Sequence, residues 1–294
     1  MIHVIDLEFL GIPHTIASFL IDSKDGPFLI ETGPYSTFPR LEAGLQAHGY
    51  TPADVKHVLL THIHLDHAGA AWAFAKNGAQ IYMHPFGERH MENPEKLLSS
   101  ARRIYQDMMD KLWGAMHPIP GHQITTPGDE DKVQIGEHEV QAIYSPGHAV
   151  HHIAWLLDDT LFTGDVAGVK IADGMVVPPC PPPDINIEDW DASIARIREL
   201  APRRLYLTHF GEVTNVSEHL DELEERLHQW AAWMRPRYES GESMADITPA
   251  FEEMVRRQLA DFGIDQAGIQ KYEAANPPWM SVAGLLRYWK KKNA

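Results

Sequence analysis

The chain has 294 residues, of which 44% are hydrophobic, and its formal net charge is −16. This length suits one large α/β domain, or a core domain with an appended subdomain. Because the chain is strongly acidic and its only dense basic run is the lysine triplet 290–292, we expect no nucleic-acid partner.

The N-terminus and the cysteine content indicate in which cellular compartment the protein is expected. The first residues lack a basic stretch followed by an apolar one, and no apolar run approaches the ~18 residues of a membrane span. We therefore expect neither secretion nor membrane insertion. Cys180 is the single cysteine, so an intrachain disulfide is excluded. A reducing, cytoplasmic location fits these features best.

Residues 1–83 alternate between strand and helix patterns. Apolar composition predicts strands over residues 1–10, 15–22, 27–31, 57–61 and 80–83, with a hairpin-turn signal at Asp25 and Gly26. Helical spacing covers residues 38–48 and 68–76. Thr51 resembles an N-cap with Pro52 at the first helical position and Asp54 in the first turn, which predicts another helix start.

Residues 86–120 have a different composition, with apolar side chains at helical spacing among charges. These apolar positions are Met91, Leu97, Leu98, Ile104, Met108, Met109, Leu112, Trp113 and Met116. The pattern predicts one or two helices inserted between core strands. Ordinary packing explains most of these positions, but a Met-rich and aromatic insertion near a functional site is also typical of a substrate lid.

From residue 124 the strand pattern returns and then gives way to helices. Strands are predicted near 125 and over 132–135, 139–144, 152–157, 160–163 and 204–208. The proline-rich residues 175–183 predict a stiff extended loop, either a connector or one wall of a cleft. Helices are predicted over 187–200, 216–233, 249–261 and 277–291. The apolar stripe of the last helix favours packing onto the core, with a dimer face as the alternative.

A dense group of polar side chains follows the apolar strand at residues 57–61, namely His62, His64, Asp66 and His67. On an extended chain His62 and His64 project from the same face, whereas Asp66 and His67 fall where the strand turns into a helix. Imidazole and carboxylate groups are common ligands of zinc and its neighbours. A hydrogen-bonded core cluster is the alternative, but burying these groups without a cation would be costly.

Three further candidate ligands each lie at the end of an apolar strand, just before or within a turn. They are His148 after Pro146 and Gly147, Asp165 after Gly164, and His209 after Thr208. The adjacent small residues allow the backbone to approach closely. Each position alone is weak evidence for a metal ligand, because a single histidine after a strand is more often a core residue whose hydrogen bonds are satisfied. The order of all three after the first motif is more specific.

Taken together, the pattern H-x-H-x-D-H followed by His, Asp and His resembles the signature of the metallo-β-lactamase superfamily over residues 15–211. The resemblance implies an α/β fold, a four-layer αββα sandwich with a helical insertion and a helical C-terminal extension. It divides the chain into a catalytic domain, residues 1–215, and an extension, residues 216–294, packed on that core. Members usually carry Asp-Thr-Gly where this chain has Glu31, Thr32 and Gly33, so the hydrogen bonding of Glu31 is an open question.

The resemblance also implies two divalent cations. It assigns His62, His64 and His148 to the first, Asp66, His67 and His209 to the second, and Asp165 to both. Because the set has no thiolate, zinc is favoured, with iron and manganese as alternatives. Two such cations would lower the pKa of a bridging water, so that hydroxide attacks the substrate near neutral pH. Asp66 would act as the catalytic residue that orients this nucleophile and passes on its proton.

The expected substrate is a small molecule carrying a small or medium ester, thioester or lactone. A bridging aspartate such as Asp165 is typical of glyoxalase II-like and lactonase-like members rather than of β-lactam-cleaving ones. No glutathione site can be aligned, and Val166 begins a stretch that lacks the tyrosine of quorum-sensing lactonases. The candidate pocket residues are His14, Tyr35, His84, Tyr105, Trp113 and His117. We expect a monomer or a homodimer.

Three other functions stay open at this point. A phosphodiesterase or phosphotriesterase would use the same site. A mononuclear iron enzyme of the persulfide dioxygenase type shares the fold and most ligands, and metal analysis with oxygen consumption would distinguish it. A non-catalytic module with a structural metal is the third, but structural sites are closed shells, whereas seven ligands for two metals leave room for water.

Overall fold

The computed structural model describes residues 1–293, in which the strands form two six-stranded sheets. The first sheet contains, in spatial order, β1 (Ile2–Asp6), β2 (Ala17–Ile21), β3 (Phe28–Ile30), β4 (His57–Leu59), β5 (Gln80–Tyr82) and β6 (Ile124–Thr125). Strands β1 to β3 pair antiparallel, and β3 to β6 pair in parallel. The carboxyl ends of β3, β4 and β5 therefore meet at one edge of the sheet.

The second sheet is built from the later strands. These are β7 (Lys132–Ile135), β8 (His138–Tyr144), β9 (Ile153–Leu157), β10 (Thr160–Gly164), β11 (Arg204–Leu207) and β12 (Gly211–Val213), paired in chain order. Strands β10 and β11 pair in parallel, and the other neighbours pair antiparallel. The parallel pairing places the carboxyl end of β10 beside the carboxyl end of β11.

Helices cover the outer faces of both sheets. They are α1 (Phe38–Ala47), α2 (Leu65–Ala68), α3 (Ala71–Lys76), α4 (Pro85–Glu92), α5 (Glu95–Tyr105), α6 (Met109–Leu112), α7 (Ile187–Leu200), α8 (Val216–Glu239), α9 (Met244–Asp261), α10 (Gln266–Ala275) and α11 (Pro278–Lys292). Short 3₁₀ turns occur at Phe9–Gly11, Tyr35–Thr37, Gln106–Met108 and Gly121–Gln123. None of the helices within residues 1–293 combines the length and the apolar character needed to cross a bilayer.

Three buried apolar clusters establish a four-layer order. Between the sheets, Phe19 and Ile30 of the first sheet share a cluster with Trp155 and Phe162 of the second, and the rings of Phe19 and Phe162 lie 5.2 Å apart. A second cluster joins the first sheet to α1–α6, and a third joins the second sheet to α7–α11. The predicted αββα sandwich with a helical insertion and a helical C-terminal extension is thus confirmed.

Most elements with a clear period lie where the sequence predicts them, and β7 and α7 have the predicted bounds. The predicted helix start at Thr51 is wrong, because the backbone N–H and the hydroxyl of Thr51 both bond Asp54 Oδ2 at 2.7 Å in an isolated turn. Strand β12 and helix α10 are additional elements. Helix α9 begins earlier than predicted, since Ser243 caps it by accepting a bond from the Asp246 N–H.

The insertion and the extension are each tied to the core. Residues 86–120 contain α5, α6 and most of α4, one helix more than the upper prediction, and Met91 and Ala101 from this region enter the cluster beneath the first sheet. Leu220 and Leu223 of α8 share a buried cluster with Trp190 of α7. Ala294, the last residue of the predicted extension, lies outside the described residues.

The packing of α11 against the proline-rich loop gives a stability prediction. A Cβ added at Gly284 would collide with the carbonyl oxygen of Cys180 and touch the backbone of Pro181. Replacing glycine by alanine in a helix normally stabilises it by ~1 kcal/mol. For Gly284→Ala we instead expect a net loss of about 1–3 kcal/mol, because the core there has no room. Chemical denaturation measures this free energy of unfolding. The exposed Lys290→Ala on the same helix should change it by less than about 0.5 kcal/mol, and an unchanged Gly284→Ala protein would contradict the packing.

Candidate metal centre

The first ligand group is positioned by the end of β4 and the start of α2. His62 and His64 follow the strand. His64 is the residue before α2, and its backbone is still extended (φ −61°, ψ 151°). Asp66 and His67 occupy the short helix itself. The chain therefore changes direction between the two pairs, which turns their side chains toward different parts of one pocket, as the sequence spacing predicts.

The second sheet brings the remaining candidates to the same place. His148 follows β8, Asp165 follows β10, and His209 follows β11. Gly164 has φ +50°, and a Cβ there would collide with the side chain of Thr61, which follows β4 of the first sheet. Glycine at this position is thus required both by backbone conformation and by the close approach of the two sheets.

All seven predicted ligands converge. Three sets of side chains have candidate ligand atoms within 4.8 Å of one another, namely His62, His64 and His148; His62, His67 and Asp165; and Asp66, His67 and His209. The sets share His62 and His67, so they form one continuous centre rather than separate clusters. Residues up to 147 positions apart in the chain, His62 and His209, meet in this centre.

The spacing of the nitrogens in the first set fits a small cation. The His64 Nδ1 atom lies 2.9 Å from His62 Nε2 and 3.0 Å from His148 Nε2. Ligands of a tetrahedral zinc ion with bonds of 2.0–2.1 Å are about 3.3 Å apart, close to this spacing. The Nδ1 of His148 lies 2.8 Å from the Pro179 carbonyl oxygen, which can only accept a hydrogen bond. That contact leaves the lone pair of His148 Nε2 facing the centre.

Asp165 lies between the sets. Its Oδ2 is 3.2 Å from His148 Nε2, whereas its Oδ1 is 3.3 Å from His67 Nε2 and 3.5 Å from His209 Nε2. Asp66 Oδ2 is 3.7 Å from His67 Nε2 and 3.6 Å from His209 Nε2. Within residues 1–293, His67 Nε2 and Asp165 Oδ1 are buried atoms without a hydrogen-bond partner. Orphaned buried polar atoms of this kind fit a cation that both of them bind.

The electrostatics of the centre favour the metal-binding forms of His62, His64 and Asp66. Burial, followed by the neighbouring imidazole of His67, lowers the pKa of His62 well below its usual value. Burial and the His148 imidazole lower the pKa of His64 to about 3. Burial opposes ionisation of Asp66, but His67 and His209 lower its pKa to about 2. Neutral imidazoles beside ionised carboxylates are the donors that divalent cations require.

His67 reveals the surplus of negative charge in the centre. Burial opposes its protonation, yet the carboxylates of Asp165, Glu31 and Asp66 raise its pKa well above the usual value. In the absence of a metal, a proton on His67 therefore balances part of this charge. The donor set and the unpartnered atoms together make the centre a divalent-metal binding site.

Glu31 makes the hydrogen bond that the sequence left open. Its side chain is fully buried, Oε2 accepts a bond from His67 Nδ1 at 2.8 Å, and Oε1 accepts one from the Thr61 N–H at 2.8 Å. The backbone of Glu31 has φ +68°, a conformation that non-glycine residues rarely adopt. The longer side chain thus reaches both partners from a strained backbone and fixes the ring of His67.

Two residues of the site were missed by sequence reasoning. His152 Nδ1 lies 2.8 Å from Ser145 Oγ, and its Nε2 accepts a bond from the Asp165 N–H at 3.2 Å, so it positions the loop that carries Asp165. His151 is buried and borders the cavity beside His64. The available signal was the local density of histidine, because His148, His151 and His152 lie within five consecutive positions.

A large cavity of about 890 Å³ opens onto the centre. His64, Asp66 and Asp165 lie at its wall. Much of the remaining lining comes from three separate segments: the insertion (Ile104, Tyr105, Met108, Leu112 and Trp113), the proline-rich loop (Pro179, Pro181, Pro182 and Pro183), and the turn before α11 with its first residues (Pro277, Trp279 and Met280). The insertion is therefore a wall of the cavity in this conformation.

Of the six predicted pocket residues, Tyr105 and Trp113 line this cavity. The structure places the other four elsewhere. His84 caps α4 by accepting a bond from the Phe86 N–H, and His14 stacks on Phe210 with ring centroids 4.8 Å apart. Tyr35 and His117 both pack against Trp72. Aromatic character and closeness in the chain do not reveal which side of the first sheet a side chain faces.

Comparisons with known proteins agree with this geometry. Residues 11–209 match the family model of the metallo-beta-lactamase superfamily. A metallo-beta-lactamase fold-containing protein of Sulfurisphaera tokodaii is 30% identical over 178 residues, which cover 57% of this chain and 66% of that protein. A hydroxyacylglutathione hydrolase of Vibrio cholerae is 30% identical over 114 residues, which cover 38% of this chain and 33% of that enzyme. The chain thus spans less than two thirds of these curated relatives.

A solved structure shows the same fold over the whole chain. A metallo-beta-lactamase family protein of Thermus thermophilus superposes with a TM-score of 0.69 at 21% identity, covering 100% of this chain and 94% of that one. The family model alone spans more than half of the sequence, from residue 11 to residue 209. With its seven converging ligands and its αββα layers, the chain belongs to the metallo-beta-lactamase superfamily.

Proposed function

We propose that this protein is a dinuclear metal-dependent hydrolase that cleaves a carboxylic ester, thioester or lactone. One observation carries the proposal. The two oxygens of Asp165 point to different ligand sets, with Oδ2 near His148 and Oδ1 near His67 and His209. A carboxylate in this orientation suits a bridge between two cations rather than a ligand of one.

The residues present define which groups would hold the cations. His62, His64 and His148 would hold the first, Asp66, His67 and His209 the second, and Asp165 both. Imidazole and carboxylate donors without thiolate favour zinc, with iron or manganese as alternatives. When bound, such cations supply Lewis acidity, which lowers the pKa of water and polarises a carbonyl group.

The chain's own residues do the remaining work. The side chain of Asp66 is 23% exposed and borders the cavity, where its carboxylate can take the proton of the attacking water and return it to the leaving group. Glu31, through His67, and the Thr15 carbonyl, 2.7 Å from His209 Nδ1, keep both rings oriented. The walls of the cavity beside the centre are mainly apolar, so they offer few groups that compete for the reacting bond.

Two features support an acyl substrate over the alternatives. The walls near the centre are mainly apolar, which suits an acyl group better than a charged phosphodiester. The relative from Vibrio cholerae is a hydroxyacylglutathione hydrolase, and its name supports a thioester. A mononuclear iron oxidoreductase would not need every one of the seven ligands, all of which converge here.

Metal content tests the ligand assignment directly. We expect about two zinc ions per chain in the metal-replete protein, and His148→Ala should reduce this to about one, because it removes a donor from the first set. Elemental analysis by mass spectrometry after dialysis measures the ratio. His228→Ala is the matched control, since His228 is exposed and pairs with Asp191 away from the centre. About one iron per chain, with oxygen consumption on persulfides, would instead support the oxidoreductase.

Metal removal tests the reaction. Zinc-loaded protein should hydrolyse members of a panel of aryl esters, thioesters and lactones. Chelation should abolish turnover, and added zinc should restore it, because the Lewis acid activates both water and carbonyl. Asp165→Asn should lower kcat/KM by at least about 100-fold, since the bridging carboxylate is lost. No turnover of any panel member by zinc-loaded protein would refute the proposal.

The role of Glu31 gives a third test. Glu31→Gln retains the size of the side chain but removes the charge that faces His67. We expect a 10- to 100-fold fall in metal affinity or activity, the usual cost of losing such a supporting carboxylate. Competition with a chromogenic chelator measures the affinity. Glu139→Gln, an exposed carboxylate that pairs with Lys132, should leave it unchanged. Equal affinities for the two variants would show that Glu31 is merely structural.

A further inference from the structure

The mouth of the cavity is lined by exposed apolar side chains. Leu10, Phe86, Ile104, Met108 and Val150 are 42%, 61%, 39%, 43% and 44% exposed, and all of them border the cavity. Phe86, Ile104 and Met108 belong to different elements of the insertion, and Leu10 and Val150 come from two other parts of the chain, so no single element explains their exposure. Apolar side chains gathered around one opening mark a surface that receives an apolar ligand.

The interior continues this apolar surface. Leu65, Trp113, Trp279 and Met280 line the walls together with the prolines of the loop. The volume of about 890 Å³ lies toward the upper end of the ~300–1,000 Å³ typical of small-molecule pockets. A short acyl group such as acetyl would leave most of this wall unoccupied, whereas a long or bulky chain would cover it.

The charges at the cavity are the second, independent observation. Arg89, His90 and Lys96 border it, and neither Arg89 nor Lys96 has a carboxylate of residues 1–293 within 4.0 Å. Burial, followed by the positive charges of Arg89 and Lys96, lowers the pKa of His90. Of the bordering acids outside the metal centre, Glu273 is paired with Arg256 at 2.6 Å, so Asp184 is the one acid there to set against the two cations. A locally basic rim on a chain of net charge −16 suits an anionic group.

We propose that the substrate is an amphiphile, a long-chain acyl ester or thioester whose leaving group is anionic. The acyl chain lies along the apolar walls, the carbonyl lies at the metal centre, and the anionic group lies against Arg89 and Lys96. Water adds its oxygen to the acyl carbon, the bond to the leaving oxygen or sulfur breaks, and a proton passes to the leaving group. The inference rests on the proposed function for the bond that is cleaved, but the binding of the amphiphile is measurable without turnover.

Equilibrium binding tests the inference independently of catalysis. The probes are dodecyl phosphate, dodecanol and hexyl phosphate, added below their micellar concentrations to the metal-loaded full chain and followed by calorimetry. We expect dodecyl phosphate to bind tightest, since it alone has both a long chain and a charge. The double variant Arg89→Ala/Lys96→Ala should weaken dodecyl phosphate binding about tenfold and leave dodecanol unchanged. Lys111→Ala, exposed on α6 and outside the cavity lining, is the matched control.

Kinetics then separates the two proposals. With thioesters of one anionic thiol, kcat/KM should rise at least about 100-fold from acetyl to dodecanoyl, and the double variant should raise KM with kcat unchanged. Amphiphile binding without hydrolysis of any ester would support the amphiphile-binding site but refute the hydrolase and, with it, the role of the amphiphile as substrate. Hydrolysis without chain-length preference and without dodecyl phosphate binding would support the hydrolase and refute the amphiphile as its substrate. A homodimer that Phe86→Asp breaks, with dodecyl phosphate affinity unchanged, would also overturn the inference, because the apolar rim would then be a subunit contact.

Discussion

Buried negative charge is the constraint on which the site depends. Glu31 is fully buried and Asp165 nearly so, and Asp66 lies beside them against His67 and His209. Ionised carboxylates in such a place are costly unless a positive charge compensates them. The protein meets this requirement with converging imidazoles and with a gap that suits divalent cations. The strain at Glu31 and the glycine at position 164 follow from the same requirement, because both bring these groups within reach of one another.

The centre exists only where the two sheets meet. The first sheet supplies the ligands after β4, and the second supplies those after β8, β10 and β11. Bonds between the sheets lie next to these ligands: the Ile153 N–H donates to the Thr61 carbonyl at 2.7 Å, and the Ala17 N–H donates to the Thr208 carbonyl at 2.8 Å. The imidazole of His209 contacts the Thr15 carbonyl in the same region. These hydrogen bonds and the apolar core around Phe19 and Phe162 together hold the two sheets against each other beside the metal centre.

The sequence predicts best those positions where a reactive side chain or a regular apolar pattern marks a strand or helix. The ligands could be predicted because each is a metal-binding side chain at the end of an apolar strand, and α7 because its apolar stripe is continuous. Strand β12 has only three residues, too few to show a period, and α10 is short and weakly patterned. The orientation of Glu31 depends on a backbone conformation that composition does not encode. Tyr105 and Trp113 line the cavity and Tyr35 and His117 do not, a difference set by how distant segments pack.

The residues that form the metal centre and those that shape the cavity come from different parts of the chain. The family model covers residues 11–209, which include every predicted metal ligand. Trp279 and Met280, which complete the cavity wall, lie beyond that segment, and the apolar residues of the insertion do not bind metal. Membership in the superfamily therefore constrains the metal centre, whereas in the proposed hydrolase the insertion, the proline-rich loop and the C-terminal helices determine which substrate reaches it. Contacts made far from a reacting bond can still serve catalysis, because they hold the substrate in place while the bond is attacked. In the proposed hydrolase, the apolar wall that these three segments largely build is thus part of the catalytic apparatus even though it supplies no reactive group.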